Sequence, residues 1–447
     1  MYQAESSGAV LRSRRRTATG ERGGRVPVAR NVVVLGTVSL LTDVSSEMVA
    51  AILPIYLVFA LGASPLAFGV IDGIYQGATA LVRLASGFVA DRWRRHKEVA
   101  AAGYGISAVC KAALVAFGNS VGAIGGIVLA DRAGKGIRTA PRDALIALST
   151  APSALATAFG VHRAMDTAGA LLGPLVAFGL LLLAPARFDA IFVVSLCFAV
   201  LGLAVLLLLA DGRPARPDDP PAGPMQDSRR ISAASLHPGG EEAVDGDERP
   251  TLREALALLA EPRLRALVVA AGLLALVTIS DGFVYLGLQR TLDLSLTAFP
   301  LLFVGSAAVY MALAIPVGRL ADRIGRRLVF VAGYALLLLV YGVLLLPSAG
   351  IAGLVVALAA LGAYYAATDG VLQAIASAVL PDNLRASGLA LLVTAVSLAK
   401  LVSSVAFGLV WTLGGLETAT AAFVVGLVVA LLAAAAILRH APTVGTA

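Results

Sequence analysis

Charge is scarce in this chain. Only 14% of its 447 residues are Asp, Glu, Lys or Arg and 58% are hydrophobic, and a mean hydropathy of +0.86 lies far outside the composition of soluble domains. That excludes a water-soluble globule and implies an integral membrane protein. Cysteine is also rare. Cys110 and Cys197 both stand in apolar runs, so no disulfide framework or Cys/His metal centre is implied and both read as packing residues. No metal or cofactor is expected. A signal peptide does not fit either: the first apolar run is too long, holds acidic residues and lacks an A-x-A-like site. The phosphate-loop pattern G-x-x-x-x-G-K-[ST] is missing around Lys135-Gly136-Ile137-Arg138, and no strand pattern precedes that stretch, which argues against an ATPase; no enzymatic activity is expected.

The charge that is present is concentrated. Asp131-Arg132-Ala133-Gly134-Lys135-Gly136-Ile137-Arg138-Thr139-Ala140-Pro141-Arg142-Asp143 interrupts a segment whose flanks are long enough to cross a bilayer. Each charge at mid-membrane costs roughly 3 kcal/mol, so the cluster cannot face lipid. It must line a wet cavity or pair inside a helix bundle.

Apolar runs predict twelve helices, near 31–59, 65–89, 98–118, 121–147, 154–183, 188–210, 264–289, 297–319, 328–346, 350–379, 384–412 and 416–438. The chain then divides into a basic tail at 1–30, a six-helix bundle at 31–210, a polar linker at 211–262, a second six-helix bundle at 263–440 and a short tail at 441–447. The linker reads as largely disordered, except that Thr251-Leu252-Arg253-Glu254 has capping-box spacing and opens a short amphipathic helix. Positive residues collect on the side of the N-terminus: Arg12, Arg14, Arg15 and Arg16 in the tail, Arg92, Arg94, Arg95 and Lys97, then Arg323, Arg326 and Arg327, then Arg439. The opposite loops hold little beyond Arg187 and Arg290. Both termini and the linker are therefore expected in the cytoplasm, with the basic tail touching anionic lipid rather than nucleic acid.

A repeat supports two halves. Gly87-Phe-Val-Ala-Asp91-Arg92-Trp-Arg-Arg95 returns as Gly318-Arg-Leu-Ala-Asp322-Arg323-Ile-Gly-Arg326. On these residues the chain resembles the major facilitator superfamily over essentially all twelve helices. The two G-x-x-x-D-R-x-x-R copies are similar to that superfamily's cytoplasmic gate motif, with Arg94 where the first copy would have a second glycine. Arg132-x-x-Lys135-Gly136 is similar to the R-x-x-Q-G signature of proton-coupled drug antiporters, with Lys135 in place of the amide. Gly169-Ala-Leu-Leu-Gly173-Pro174 is similar to their G-x-x-x-G-P motif without its closing glycine pair. The strings Leu41-Thr-Asp-Val-Ser-Ser-Glu-Met48 and Gly134-Lys-Gly-Ile-Arg-Thr-Ala-Pro-Arg-Asp143 resemble a prokaryotic branch of unassigned substrate. The resemblance implies a fold of two pseudo-symmetric bundles that rock about a central site, and it implies that the Gly169, Gly173, Pro174 face meets helix 8 of the other half.

At 100° per residue, Ser39, Asp43, Ser46 and Glu47 share one face of helix 1. Two carboxylates in one low-dielectric site repel, so one of them holding a proton is the chemistry that proton coupling requires; the alternative is that both are fixed counter-ions of helix 4. Gln76 reads as a cavity residue. On helix 4, Asp131, Lys135, Arg138 and Arg142 lie within about 60° and Arg132 and Asp143 on a second face. Arg132 and Arg138 are expected to meet carboxylates of helices 1 and 5 or an anionic part of the substrate. Asp166 reads as an interface residue or a ligand, and His162 as a packing histidine. The second half offers Asp281, Asp369 and Lys400, with Tyr364 and Tyr365 beside them.

The resulting expectation is a monomeric secondary transporter of the bacterial inner membrane that exports a small amphiphilic compound against protons. The alternative is uptake or exchange of an organic anion, favoured by the cations of helix 4. A non-transporting membrane receptor is disfavoured by gate motifs in both halves and the lack of any signalling domain.

Overall fold

The computed structural model describes residues 29–93, 95–150, 154–211, 258–346, 350–381 and 384–440, with the side chains of 80–94, 156, 259, 385–387 and 440 outside the described set. Among the described residues the fold is helical throughout, with no strand. The first half comprises α1 (Arg30–Ile55), α2 (Pro65–Trp93), α3 (His96–Phe117), α4 (Val121–Leu148), α5 (Leu155–Leu183) and α6 (Phe188–Leu209). The second comprises α7 (Pro262–Leu276), α8 (Asp281–Leu292), α9 (Pro300–Ile324), α10 (Arg326–Leu345), α11 (Gly350–Val379) and α12 (Arg385–His440). Nine stretches among the described residues are long and apolar enough to cross a membrane. Helices α2 and α4 are not among them, and one of the nine contains both limbs of α12, so the twelve spans expected from the sequence are accounted for.

Two spans differ from that expectation in form. The seventh is broken into α7 and α8, because Val277, Thr278 and Ile279 leave the helix and Ser280 restarts it as N-cap, accepting from the Phe283 amide at 3.5 Å. The freed backbone groups are not abandoned. The Ile279 amide donates to the Tyr341 hydroxyl at 2.8 Å, that hydroxyl donates to Val277 O, and Ser403 donates to Thr278 O at 2.7 Å, as a break at membrane depth requires. The eleventh and twelfth spans are the limbs of α12, which reverses at Gly415 with φ 84°, a conformation that a Cβ disfavours. The capping box at Thr251 lies outside the described residues.

Polar ties at the helix ends fix the alternation of direction. Asn31 at the start of α1 donates to Ser149 at the end of α4 (2.6 Å) and to Asp211 O beyond α6. Lys97 at the start of α3 donates to Ala210 O at 2.6 Å, and Arg327 at the start of α10 to Leu438 O at 2.8 Å. These ends define a terminal face, which carries the start of α1 and the end of α12. On the far face, Tyr56 donates to Gly118 O at 3.0 Å and packs its ring at an angle against Phe188 and edge-on against Phe192.

Within the first bundle α1 packs along α5 and α6, and α4 along α2 and α3; within the second, α11 packs on α9 and α10, and α12 on α7. The halves meet where α2 lies on α12 and α5 on α9. At the far face this joint is closed by an aromatic cluster: Phe283 stands 4.7 Å from Phe68, 4.8 Å from Phe407 and 5.6 Å from Trp411 between ring centroids. Beneath it, Asp72 of α2 accepts from Ser404 of α12 at 2.7 Å and from Ser280, a buried carboxylate shared by both halves. Truncating Phe283 to Ala should cost about 3 to 5 kcal/mol through the lost contacts and the cavity left behind. The measurable consequence is a lower melting temperature in detergent.

Candidate functional site

Helix α1 carries its polar residues where a single helix could not keep them. Ser39, Thr42, Asp43, Ser45, Ser46 and Glu47 are all buried around its midpoint. They are tolerated because neighbouring helices come very close. A Cβ on Gly169 of α5 would lie 2.6 Å from Leu40 O and 3.1 Å from Asp43 Cβ, and one on Gly173 would lie 2.8 Å from Glu47 Cβ. The glycine face of α5, with buried Pro174 beside it, therefore seats α1 of its own bundle, which corrects the expectation that it meets helix 8 of the other half. On the other side, Ser45 and Ser195 of α6 each donate to the other's carbonyl at 2.7 and 2.8 Å.

Close approach of α1 and α5 brings Asp43 and Asp166 together. Their carboxyls are close enough to act on each other, and both side chains are 3% exposed. Two ionised carboxylates this close repel, so the pair needs either neighbouring cations or a proton on one member. Two arginines of α4 bracket the pair: Arg138 reaches Asp43 at 3.8 Å and Arg142 reaches Asp166 at 3.9 Å. Arg138 also donates to Ser107 at 3.1 Å and lies 4.7 Å over the Tyr104 ring. Arg142 holds Asp143 at 2.9 Å and donates to Ser39 at 3.3 Å, while Arg163 of α5 pairs with Asp166 at 3.3 Å. Exposure rises outward from the pair, from 3% to 13% at Arg142, 25% at Asp143 and 37% at Arg163, so the network leads from a dry centre toward solvent. His162 bonds Ser39 at 2.9 Å and is buried, a satisfied packing histidine.

Arg132 behaves differently from the expectation that it meets helices 1 and 5. It binds Asp131 of its own helix at 2.8 Å and lies 4.1 Å over the Tyr75 ring of α2, and Lys111 of α3 completes a buried triad through Asp131 at 3.3 Å. It is Arg142 that reaches helix 5. Lys111 was visible in the sequence as a lone cation in the apolar run of α3, but nothing there gave it a partner. Its carboxylate is 20 residues away in sequence on a different helix.

Glu47 is buried and Gln76 and Lys135 are half-buried. In the second half, Tyr365 donates to Asp281 at 2.7 Å where α8 begins, and half-buried Asp369 stands one turn further along α11. Tyr310 of α9 lies 6.4 Å from Tyr365, so this wall is aromatic with few charges. In the second gate copy, exposed Asp322 pairs with Arg326 at 2.8 Å, and Arg326 reaches Ala374 O on α11; Gly318 is half-buried and Arg323 exposed. In the first copy Arg95 is exposed, whereas the side chains of Gly87, Asp91 and Arg92 lie outside the described residues. Cys110 is buried, but Cys197 is exposed on α6 rather than packed. Among the described residues no group of three or more His, Cys, Asp or Glu side chains could hold a metal ion.

The sequence matches a family model described as Major Facilitator Superfamily over residues 35–288 and 269–446. An uncharacterized MFS-type transporter of Methanocaldococcus jannaschii is 29% identical over 394 residues, covering 86% of this chain and 89% of the relative. An uncharacterized protein of Mycobacterium tuberculosis is 36% identical over 152 residues, 34% of this chain and 37% of that protein. Among solved structures, a point mutant of the nucleoside transporter NupG superposes with a TM-score of 0.73 at 16% identity, covering 91% of this chain and 99% of that one. A bacterial homolog of the human lysosomal transporter Spinster superposes with a TM-score of 0.67 at 16% identity, covering 95% and 100%.

Proposed function

The chain belongs to the Major Facilitator Superfamily, and from that premise we propose that it is a proton-coupled secondary transporter exporting a small amphiphilic compound by alternating access. The observation that carries this reading is the Asp43–Asp166 pair: two buried carboxyls on two helices, bracketed by Arg138 and Arg142 and joined to solvent by a graded set of charged groups. Loading or losing the shared proton changes what Arg138 and Arg142 must neutralise. A change of that kind can bias the packing of α1, α4 and α5 and hence the balance between two conformations.

Two observations favour an amphiphile over an organic anion. Within the first bundle Lys111, Arg132, Lys135, Arg138, Arg142 and Arg163 stand among Asp43, Glu47, Asp131, Asp143 and Asp166, so the cationic surplus of α4 is largely compensated in place. The second half contributes an aromatic wall with Asp369 in it, suited to an apolar body with a polar group. The terminal face is assigned to the cytoplasm of a bacterial inner membrane from its Arg and Lys excess, so the far face, with its closed aromatic joint, is external.

Reconstituted protein loaded with hits from a ligand-dependent melting screen tests the reading. Flux of at least one amphiphile should follow an imposed pH gradient and vanish with a protonophore. Flux indifferent to both would overturn proton coupling, and transport restricted to organic anions would overturn the substrate class.

A further inference from the structure

We infer that Asp72 is a gate carboxyl at the joint between the halves, holding a proton while the far side is closed and releasing it when the joint parts. Opening toward the far side then depends on the pH of that side.

Asp72 stands on α2 about two turns below its far end and is 9% exposed. The joint around it is tightly packed. Phe68, Phe283, Phe407 and Trp411 close it above, and a Cβ on Gly69 or Gly73 of α2 would lie 2.6 or 3.0 Å from a backbone carbonyl of α12. The partners of Asp72 are hydroxyls that belong to the other half. Ser404 of α12 bonds it at 2.7 Å. Ser280 accepts from the Phe283 amide as the cap of α8, which leaves its own proton for Asp72.

Among the described residues no cation pairs with Asp72, and the charged groups around it are engaged elsewhere. Asp281, in the first turn of α8, faces it with a like charge. The positive end of α8 is already served by the Ser280 cap and by Asp281. One turn inward on α12, Lys400 acts on Asp369 of α11. One turn inward on α2, Tyr75 lies beneath Arg132, which holds Asp131, with Glu47 of α1 near the same ring.

An ionised carboxylate with two hydroxyl donors and no counter-ion is costly in such a place. The neutral acid keeps both serines, because a serine hydroxyl can accept the carboxyl proton as readily as it donates. When the halves part, Asp72 loses Ser280 and Ser404 and meets water of the far side, where it ionises. Its proton therefore comes from that side and returns to it without crossing the membrane. This separates the site from the Asp43–Asp166 pair. The inference rests on alternating access and not on proton coupling.

The test follows far-side opening in the full-length protein without substrate. Spin labels are placed on Asp189→Cys at the start of α6 and Arg290→Cys at the end of α8, both exposed positions, with Cys110 and Cys197 replaced by Ala. An Asp43→Asn background keeps the carboxyl pair from contributing, and Asp166→Asn serves if that protein does not fold. The far-open population should rise about tenfold as the buffer is taken from acid to alkaline, since losing the proton leaves an uncompensated charge in the closed joint. Asp72→Asn keeps the shape but cannot ionise, so its distances should not respond to pH; Asp72→Ser, equally unable to ionise, replaces it if it fails to fold. Ser404→Ala removes one partner of the closed joint and should raise the open population about fivefold at each pH while keeping the response. Opening that ignores pH, opening that grows as pH falls, or a response that survives in Asp72→Asn would each overturn the assignment.

Discussion

Asp43→Asn and Asp166→Asn should each reduce pH-gradient-driven flux by about 100-fold, on the scale of losing an essential proton carrier, while substrate exchange without a gradient persists. On the proposed mechanism each substitution removes the proton-sharing site but keeps the shape, so substrate can still be carried while the gradient no longer drives it. The neighbouring charges set the side effects. In Asp43→Asn, Arg138 keeps Ser107 and the Tyr104 ring but loses its only described carboxylate contact. In Asp166→Asn, Arg142 keeps Asp143. Breaking a buried pair outright costs about 3 to 5 kcal/mol, and the amide's oxygen recovers part of that, so both proteins should purify with lowered melting temperatures, Asp43→Asn the lower. Glu47→Gln should retain at least a third of driven flux, because Glu47 lies toward Tyr75 and Arg132 rather than in the carboxyl pair. Full gradient-driven transport by both aspartate variants would remove the pair from the coupling mechanism.

Why Asp166 rather than Glu47 completes the pair was not readable from the sequence. The charged residues themselves were plain, since a charge in an apolar run is conspicuous whatever the fold, and the twelve spans and the Asp91/Asp322 repeat were plain for the same reason. Pairing depends on how each helix is rotated about its axis. That rotation is decided by close approaches: Gly169 and Gly173 let α5 sink onto α1 and turn Asp166 toward Asp43, and Gly103 and Gly134 do the same for α3 and α4, each being seated on the other's backbone carbonyl. Spacing on one helix therefore favoured Asp43 with Glu47, whereas packing between helices selected Asp43 with Asp166. The break in the seventh span was hidden for a related reason. Val277, Thr278 and Ile279 look like an apolar helix until Tyr341 and Ser403 arrive from elsewhere to take up their backbone groups.

Glycines also separate contacts that must persist from contacts that must open, and a matched pair of substitutions should expose the difference. A Cβ at Gly169 would lie 2.6 Å from Leu40 O, and a Cβ at Gly69 would lie 2.6 Å from Ser404 O, so valine at either position is the same local insult, worth roughly 1 to 3 kcal/mol of overpacking. Gly169 is inside one bundle, between α5 and α1, and has no alternative packing, so Gly169→Val should lower the melting temperature and the yield of folded protein. Gly69 is at the joint between bundles, where α2 meets α12. A carrier that alternates has a second conformation in which this joint is parted, and Gly69→Val can relieve its clash by populating it. It should therefore remain folded and show the far face open. The readout is Ser404→Cys, with Cys110 and Cys197 replaced by Ala, labelled from the far face by a membrane-impermeant thiol reagent; Gly69→Val should raise its labelling rate about tenfold, the population change that 1.4 kcal/mol produces. Unchanged labelling with a melting loss equal to that of Gly169→Val would mean that the α2–α12 joint is as permanent as the bundle interior, and the aromatic closure around Phe283 would then be a structural seal rather than a gate.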